Sequence, residues 1–464
     1  PISYCLLFCR VNNTSMNIVI IGGVAAGAKA AAKSRRLLPD AKIDIYTEDT
    51  HVSYSSCGLP YYIQGNFNDY KKLIVRTPEE FAQQNINVHL QNRVIKIIPK
   101  TQKILVKDLT NDVEFPVPYD KLVIATGAKP FIPNIKNVDM PNVYKVRTLE
   151  DGIAIKEAMQ SATHATIVGG GYIGIEMLEA FVKNNISTTM IETSPHILSM
   201  LDSDIAHLIM DYIEEESSDF VRLLTNDSVV SFNGKEKVEE VITANGEHFS
   251  TDMVIMCAGI RPTVDIAVDA GIVLGKTGAI KVNSRMKTNL ENIYACGDCV
   301  EETNVITHRQ IWLPLGTNAN KEGRCAAVNL AGYTEDFEGV LGSTVTRYLN
   351  LTISATGLTH KAAEEEGFDP VSIIATKRDK AGYMPEVRNV TIKLVADKRT
   401  HKLLGGQAIG CGDADKRINT LSVGLLNGIT VEELLGADIT YAPPFSTTID
   451  PLLSAAKLLI NKLK

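Results

Sequence analysis

One pattern of apolar and polar positions occurs twice along the chain. Asn17–Ile21 is a short β-branched run, Gly22–Gly27 is a small-residue turn, and Ala28–Leu38 reads as a helix. Ala165–Val168, Gly169–Gly174 and Glu176–Asn184 repeat that order. A second short strand follows each unit: Ile43–Tyr46, running on to Glu48, and Thr188–Ile191, closed by Glu192. Two further apolar runs end in small-residue turns, Tyr119–Gly127 and Ile293–Asp298. Strands alternating with helices predict parallel sheets covered on both faces. The last quarter differs. It predicts strands at Thr352–Ala355 and Val390–Val395 and helices at Lys416–Leu426 and Pro451–Lys462.

The glycine turns carry chemistry. The second is a full G-x-G-x-x-G in Gly169, Gly171 and Gly174, with Tyr172 and Ile173 between the last two. Such a turn brings helix-start amides to a pyrophosphate. Glu192 sits where a carboxylate bonds the adenosine ribose diol and repels a 2′-phosphate, which favours NADH over NADPH. The first turn keeps Gly22 and Gly27 but has Val24 in place of the middle glycine, followed by Ala25. Glu48 is its ribose candidate. Two such units in one chain predict a nicotinamide passing a hydride to a flavin. The flavin unit is expected to hold FAD through Thr126, Gly127, Gly259 and the Gly297-Asp298 turn, Asp298 bonding the ribityl chain. Pro314 and Leu315 are expected to open a helix beside the flavin ring.

The remaining composition excludes more than it adds. Lys plus Arg is 47 against Asp plus Glu 54, a net charge of −7, with no basic run. That argues against nucleic acid and anionic membranes as partners. No apolar run reaches the roughly 18 residues that span a bilayer. Eight Cys in 464 residues are too sparse for a disulfide scaffold. The 9 His form no zinc-type cluster, so no metal is expected. Residues 1–15 read as an upstream extension without a cleavable signal, which predicts a cytoplasmic protein with reduced thiols.

One cysteine stands apart. Ser53-Tyr54-Ser55-Ser56-Cys57-Gly58-Leu59-Pro60 places Cys57 just before a helix that Pro60 starts. A helix N-terminus there is expected to lower the thiol pKa and favour a thiolate facing the flavin. Cys296 and Cys299 match C-x-x-C but straddle Gly297-Asp298, and read as buried structural residues.

SYSSCGLPYYI around Cys57, YDKLVIATGAKP, the Gly169–Gly174 loop, CAGIRP and IYACGDC together resemble the single-cysteine flavoprotein disulfide reductases. That family includes coenzyme A disulfide reductase, NADH oxidase and NADH peroxidase. Disulfide reductases of this architecture commonly carry a second cysteine where this chain has Tyr62. The resemblance therefore implies that Cys57 cycles through a mixed disulfide or a sulfenic acid. The oxidases and peroxidases usually carry a His at the position of Ala25, so a thiol–disulfide substrate is favoured.

The segments GYMP, LGGQA, DKRI and YAPPFS are similar to the coenzyme A disulfide reductase branch. They imply a dimerisation domain and a homodimer in which Tyr383 and Tyr441 reach the partner's cysteine. Lys29, Lys33 and Arg36 match positions that touch coenzyme A, and Ser53 and Ser56 flank the cysteine on the substrate side. Ser56 stands where the branch commonly has Asn, and Ile449 where it often has Lys.

The expected fold is α/β: two Rossmann-like dinucleotide-binding domains plus an α+β dimerisation domain. The boundaries read as 16–148 with 256–335 for FAD, 149–255 for NAD(P)H and 336–464 for dimerisation. The expected activity passes electrons from NAD(P)H through FAD to Cys57 and on to coenzyme A disulfide or a related small disulfide. NADH oxidase and sulfur or polysulfide reductase are the enzyme alternatives, and a non-catalytic redox sensor is the alternative of another class.

Overall fold

The computed structural model describes residues 16–464, so the expected extension at 1–15 lies outside the described residues. The first parallel sheet runs Ile293–Ala295, Lys121–Ile124, Asn17–Ile21, Lys42–Tyr46, Ile86–His89. The second runs Val221–Leu224, Ser187–Ile191, His164–Val168, Met253–Met256, Val143–Lys145. Their central strands read as near-continuous apolar runs because helices cover both faces. Ile18, Val19 and Ile20 are all buried, as are Ala165, Ile167 and Val168. Each sheet carries one antiparallel three-stranded meander, Asn92–Pro118 for the first and Val229–Ser250 for the second.

Two boundaries move. Val143–Lys145, read from sequence as part of the first unit, pairs with Met253–Met256 at the edge of the second sheet. Met256 likewise belongs to that sheet. The second unit therefore begins before residue 149 and closes at Met256. The chain crosses between units along an antiparallel pair, Ala128–Pro130 against Ile260–Pro262.

The third unit is a five-stranded antiparallel sheet. Its order is Thr344–Tyr348, Leu351–Gly357, Leu403–Gly410, Asn389–Asp397, Pro370–Arg378. Helices Ala414–Leu426 and Pro451–Leu463 bury their apolar faces in the same core as this sheet. Asp450 caps the second of them by accepting from the Leu452 amide. This sheet also docks on the second unit. The buried Lys393 ammonium lies 3.0 Å from Asp202 and 2.7 Å from Asp204, and the Gln407 amide donates to Asp202 at 2.6 Å. Among the described residues no helix is long and apolar enough to cross a membrane.

Candidate active site

The two glycine loops share a backbone solution. Gly22 has φ +97°, and a Cβ there would stand 2.2 Å from the Ala125 carbonyl oxygen; Gly169 has φ +109° and would meet the Cys257 oxygen at 2.3 Å. Both lie in left-handed conformations that side chains rarely adopt. Gly27 and Gly174 pack on their own loops, against the Gly22 and Gly169 oxygens. Helices Ala25–Leu37 and Tyr172–Lys183 follow, and neither has a side-chain cap. Their first-turn amides are thus left for an anion.

The loops differ at the middle position and at the acid. A Cβ on Gly171 would meet nothing within 4 Å, so the backbone there is open to close approach. Val24 instead packs its side chain on the core that includes Tyr54 and Leu59. Glu192 accepts from the Gly170 amide at 2.7 Å and the Ser194 amide at 2.8 Å. Burial would raise that carboxyl, but these amides outweigh it and hold its pKa below the ordinary value. Glu48 is half exposed and bonds Arg93 at 2.6 Å.

Cys57 is a free thiol in a single 3-10 turn, Ser56–Gly58, followed by helix Leu59–Gln64 with Pro60 in its first turn. The Ser53 amide, on a residue with φ 50°, donates to the Gly23 oxygen at 2.7 Å and ties this segment to the first glycine loop. Its sulfur stands 3.9 Å from where a Cβ on Gly316 would be, at the start of the 15-residue helix Gly316–Leu330. That helix has Leu315 as its N-cap residue and no side-chain cap, so it too presents free amides. Four segments therefore converge: the Cys57 turn, the Gly22 loop, the Gly297-Asp298 turn and the Leu313–Gly316 loop.

The thiol's expected acidity is not what this surrounding produces. Desolvation of its sulfur pushes the Cys57 thiol up, and the carboxylates of Glu176 and Asp298 add to it. The Ser56 hydroxyl and the Arg147 guanidinium oppose this without reversing it. The local helix is only six residues long, whereas the two carboxylates arrive from the second and first sheets. Nearby negative charge thus outweighs a short helix dipole.

Sequence reasoning missed Glu176 and Arg147. Glu176 lies one turn into the helix after Gly174; burial raises its carboxyl to about 7, against a hydrogen bond from Thr346 that lowers it. The G-x-x-G-x-E spacing at Gly171–Glu176 was its available signal. Arg147 follows the edge strand Val143–Lys145 and faces Asp298, Asp49 and Cys57. No local pattern marks it. Asp298 is partly buried, and its carboxylate accepts no hydrogen bond among the described residues. Gly127 and Gly259 both have positive φ, at +66° and +106°. Thr126 donates from its hydroxyl to the Thr263 oxygen at 2.6 Å, beside the crossing strands. The uncapped helix starts, the open glycine and the free Asp298 carboxylate fit FAD at the first loop and a nicotinamide dinucleotide at the second. Cys296 and Cys299 are buried free thiols, and among the described residues no His, Cys, Asp and Glu group could hold a metal.

Lys29, Lys33 and Arg36 share one face of helix Ala25–Leu37, spaced three and four apart. Arg36 edges an open cavity of about 560 Å3 with Arg35, Arg76 and Asn85. Tyr172 bonds Thr344 of the third unit through its hydroxyl at 2.6 Å, and Ile173 packs beside it on the central core. Tyr383 and Tyr441 are exposed, at 77% and 47%, and neither has a hydrogen bond or ring contact within the chain among the described residues. Both segments that carry them are held by Arg417. Buried at 1%, it pairs with Asp450 at 3.2 Å and donates to the Asp379 oxygen at 3.1 Å.

Two dinucleotide sheets, a cysteine between them and an antiparallel third unit define an NAD(P)H-dependent flavin oxidoreductase. The chain belongs to the pyridine nucleotide-disulphide oxidoreductase family, whose model matches residues 16–323, with the family's dimerisation domain at 343–452. It is 37% identical over 454 residues to the NAD(P)H sulfur oxidoreductase (CoA-dependent) of Pyrococcus abyssi, covering 97% of this chain and 99% of that protein. It is 30% identical over 433 residues to the coenzyme A disulfide reductase of Staphylococcus haemolyticus, covering 92% and 96%. Among solved structures, reduced Bacillus anthracis CoADR-RHD superposes with TM-score 0.94 at 31% identity, covering 98% of this chain and 81% of that one. FAD and NAD(P)H are the family's cofactors, as the two loops predicted.

Proposed function

We propose that this chain reduces coenzyme A disulfide, or a persulfide of coenzyme A, through Cys57 alone. The observation that carries this is the isolation of the thiol. Cys57 is free, and Tyr62 occupies the position from which a second sulfur would close a local disulfide. A mixed disulfide with a small thiol is the route open to it.

FAD held at the first glycine loop would supply the transfer of two electrons from NAD(P)H to sulfur. The chain's own residues do the rest. Gly22, Gly27 and the amides at Ala25 and Ala26 hold one pyrophosphate; Gly169, Gly171, Gly174 and Glu192 hold the other dinucleotide. Glu176, with its carboxyl near neutrality, can take the proton that leaves the Cys57 thiol. The thiolate attacks one sulfur of the substrate disulfide, its S–S bond breaks, and the departing thiolate takes a proton to leave as free thiol. Two electrons then cleave the Cys57 mixed disulfide and release the second thiol, restoring the thiolate. One NAD(P)H and one proton are consumed per disulfide.

On this reading Lys29, Lys33 and Arg36 bind the phosphates of coenzyme A, Arg36 from the cavity it lines with Arg35 and Arg76. On the same reading Tyr383 and Tyr441, exposed in one chain, complete the partner's site in a homodimer, where a phenol can protonate the leaving thiolate. Reduced thiols and nicotinamide use fit the cytoplasm. The sulfur reading draws specific support from the 37% identity to a CoA-dependent sulfur oxidoreductase. There the same thiolate would attack the terminal sulfur of a persulfide.

A steady-state panel with coenzyme A disulfide, coenzyme A persulfide and oxygen tests the proposal, with Cys57→Ser alongside. Disulfide and persulfide turnover is expected to fall at least about 1000-fold in the variant. Oxygen consumption equal to NADH oxidation without any sulfur substrate would favour an oxidase instead.

A further inference from the structure

Two carboxyl groups under the flavin segments have no place in the mechanism above. Glu322, in the second turn of helix Gly316–Leu330, is 1% exposed, and Glu302 is 5% exposed. Glu322 Oε2 accepts from the Gly297 amide at 2.6 Å, and Glu302 Oε2 accepts from the Leu313 amide at 2.9 Å. The two carboxyl groups also lie within interaction range of each other. The pair therefore bridges the Gly297-Asp298 turn and the Leu313–Leu315 loop, the two segments assigned above to the ribityl chain and the flavin ring.

Hydrogen-bond accounting requires a proton here. Glu322 Oε1 is fully buried and has no donor around it. Two carboxylates only accept, so a bond between them exists only if one carries a hydrogen. A shared proton satisfies the orphan oxygen and removes one of two buried like charges. Arg147 acts on the adjacent Asp298, and among the described residues no Lys or Arg forms an ion pair with Glu302 or Glu322. The titratable groups facing the pair are Asp298 and the thiols Cys296, Cys299 and Cys325. Helix Ala25–Leu37 presents Ala26, and the neighbouring Glu301 turns away to the Thr277 hydroxyl.

We infer that Glu302 and Glu322 share one proton and act as a positioning pair, which pins the two flavin segments together and loosens them when that proton is lost. Burial raises both groups, and the Glu302 carboxylate raises Glu322 further, while Glu322 lowers Glu302. Above that range two adjacent charges, with Asp298 beside them, push the Gly297 turn from the Leu313 loop.

The experiment follows FAD release from the holoenzyme by flavin fluorescence between about pH 6.5 and 9.5, in wild type, Glu322→Gln and Glu302→Gln. A Gln at either position keeps the backbone bond and supplies a permanent donor to the other side chain, so contact between them no longer depends on a shared proton. Wild-type release is expected to accelerate at least about tenfold across the range, the factor one pKa unit represents. The variants should stay within about twofold, on the same reading of pH-independent contacts. Melting of the holoenzyme supplies a second readout. A raised folded-state pKa stabilises at low pH, and that contribution is lost as pH rises through it. Wild-type melting should fall over this range and the variants' profiles should be flatter. Superposable profiles in all three proteins overturn the inference. So does failure of both variants to fold, since a Glu–Gln pair carries the same single negative charge as the protonated pair and retains every bond invoked. Absence of bound FAD at pH 6.5 in wild type would instead reject the flavin assignment on which the inference rests.

Discussion

The two glycine loops solve one steric problem and then part. At Gly22 and Gly169 the neighbouring strand's carbonyl comes so near that a methyl group has no room. At the middle position one loop has Val24 packed into a core, and the other has Gly171 facing open space. Each loop is tied to a later segment through its second glycine, Ser53 bonding the Gly23 oxygen and Leu198 the Gly170 oxygen, and the second is further braced by Glu192. The contrast teaches which dinucleotide stays. A loop built into the core suits a resident FAD, and an open one suits a nicotinamide that exchanges every turnover.

The largest break of that comparison is a methyl group at the two first glycines. Gly22→Ala is expected to abolish FAD retention, since strained backbone alone costs about 1–3 kcal/mol before the clash with Ala125 is counted. Gly169→Ala should leave FAD bound while raising the KM for NADH at least about 100-fold, equivalent to about 2.7 kcal/mol. Flavin absorbance after gel filtration and steady-state kinetics check both. Next in size is an exchange of middle residues. Gly171→Val should weaken NADH about 30-fold by blocking close backbone approach, with the flavin spectrum unchanged. Glu192→Gln comes third, lowering the preference for NADH over NADPH about tenfold, because a carboxylate that repels a 2′-phosphate is gone. Comparing kcat/KM for the two coenzymes measures it.

The smallest expected effect sharpens the view of the site between the loops. Glu176→Gln removes a negative charge that holds the Cys57 thiol up. The pH profile of thiol alkylation in the apoprotein should therefore move to lower pH, with faster modification at pH 7. An unchanged or alkaline-shifted profile would show that Glu176 does not face the sulfur.

These residues also mark where the sequence was readable. Gly22, Gly169 and the Cys57 turn are short-range patterns, set by a strand, a turn and a helix start that are contiguous. The strands Asn389–Asp397 and Leu351–Gly357 were legible for the same reason, being alternating or apolar runs of several residues. Val143–Lys145 was not, because a three-residue edge strand has too few positions to show a period. Glu176, Arg147 and the Glu302–Glu322 pair were hidden for a different reason. Each gains its meaning from partners on other elements, brought together only by packing. The misjudged acidity of Cys57 belongs with them: the helix after it was visible, and the carboxylates opposing it were not.

The central claim is that Cys57, with Tyr62 standing where a local partner cysteine would be, takes the substrate covalently. The direct measurement is intact mass and peptide mapping of the holoenzyme after a single turnover with coenzyme A disulfide, quenched with acid. The account predicts one coenzyme A per chain, bound at Cys57, removed by NADH and absent from Cys57→Ser. A disulfide between Cys57 and another cysteine of its own chain, or an unmodified Cys57 in an enzyme that still turns over, would contradict it.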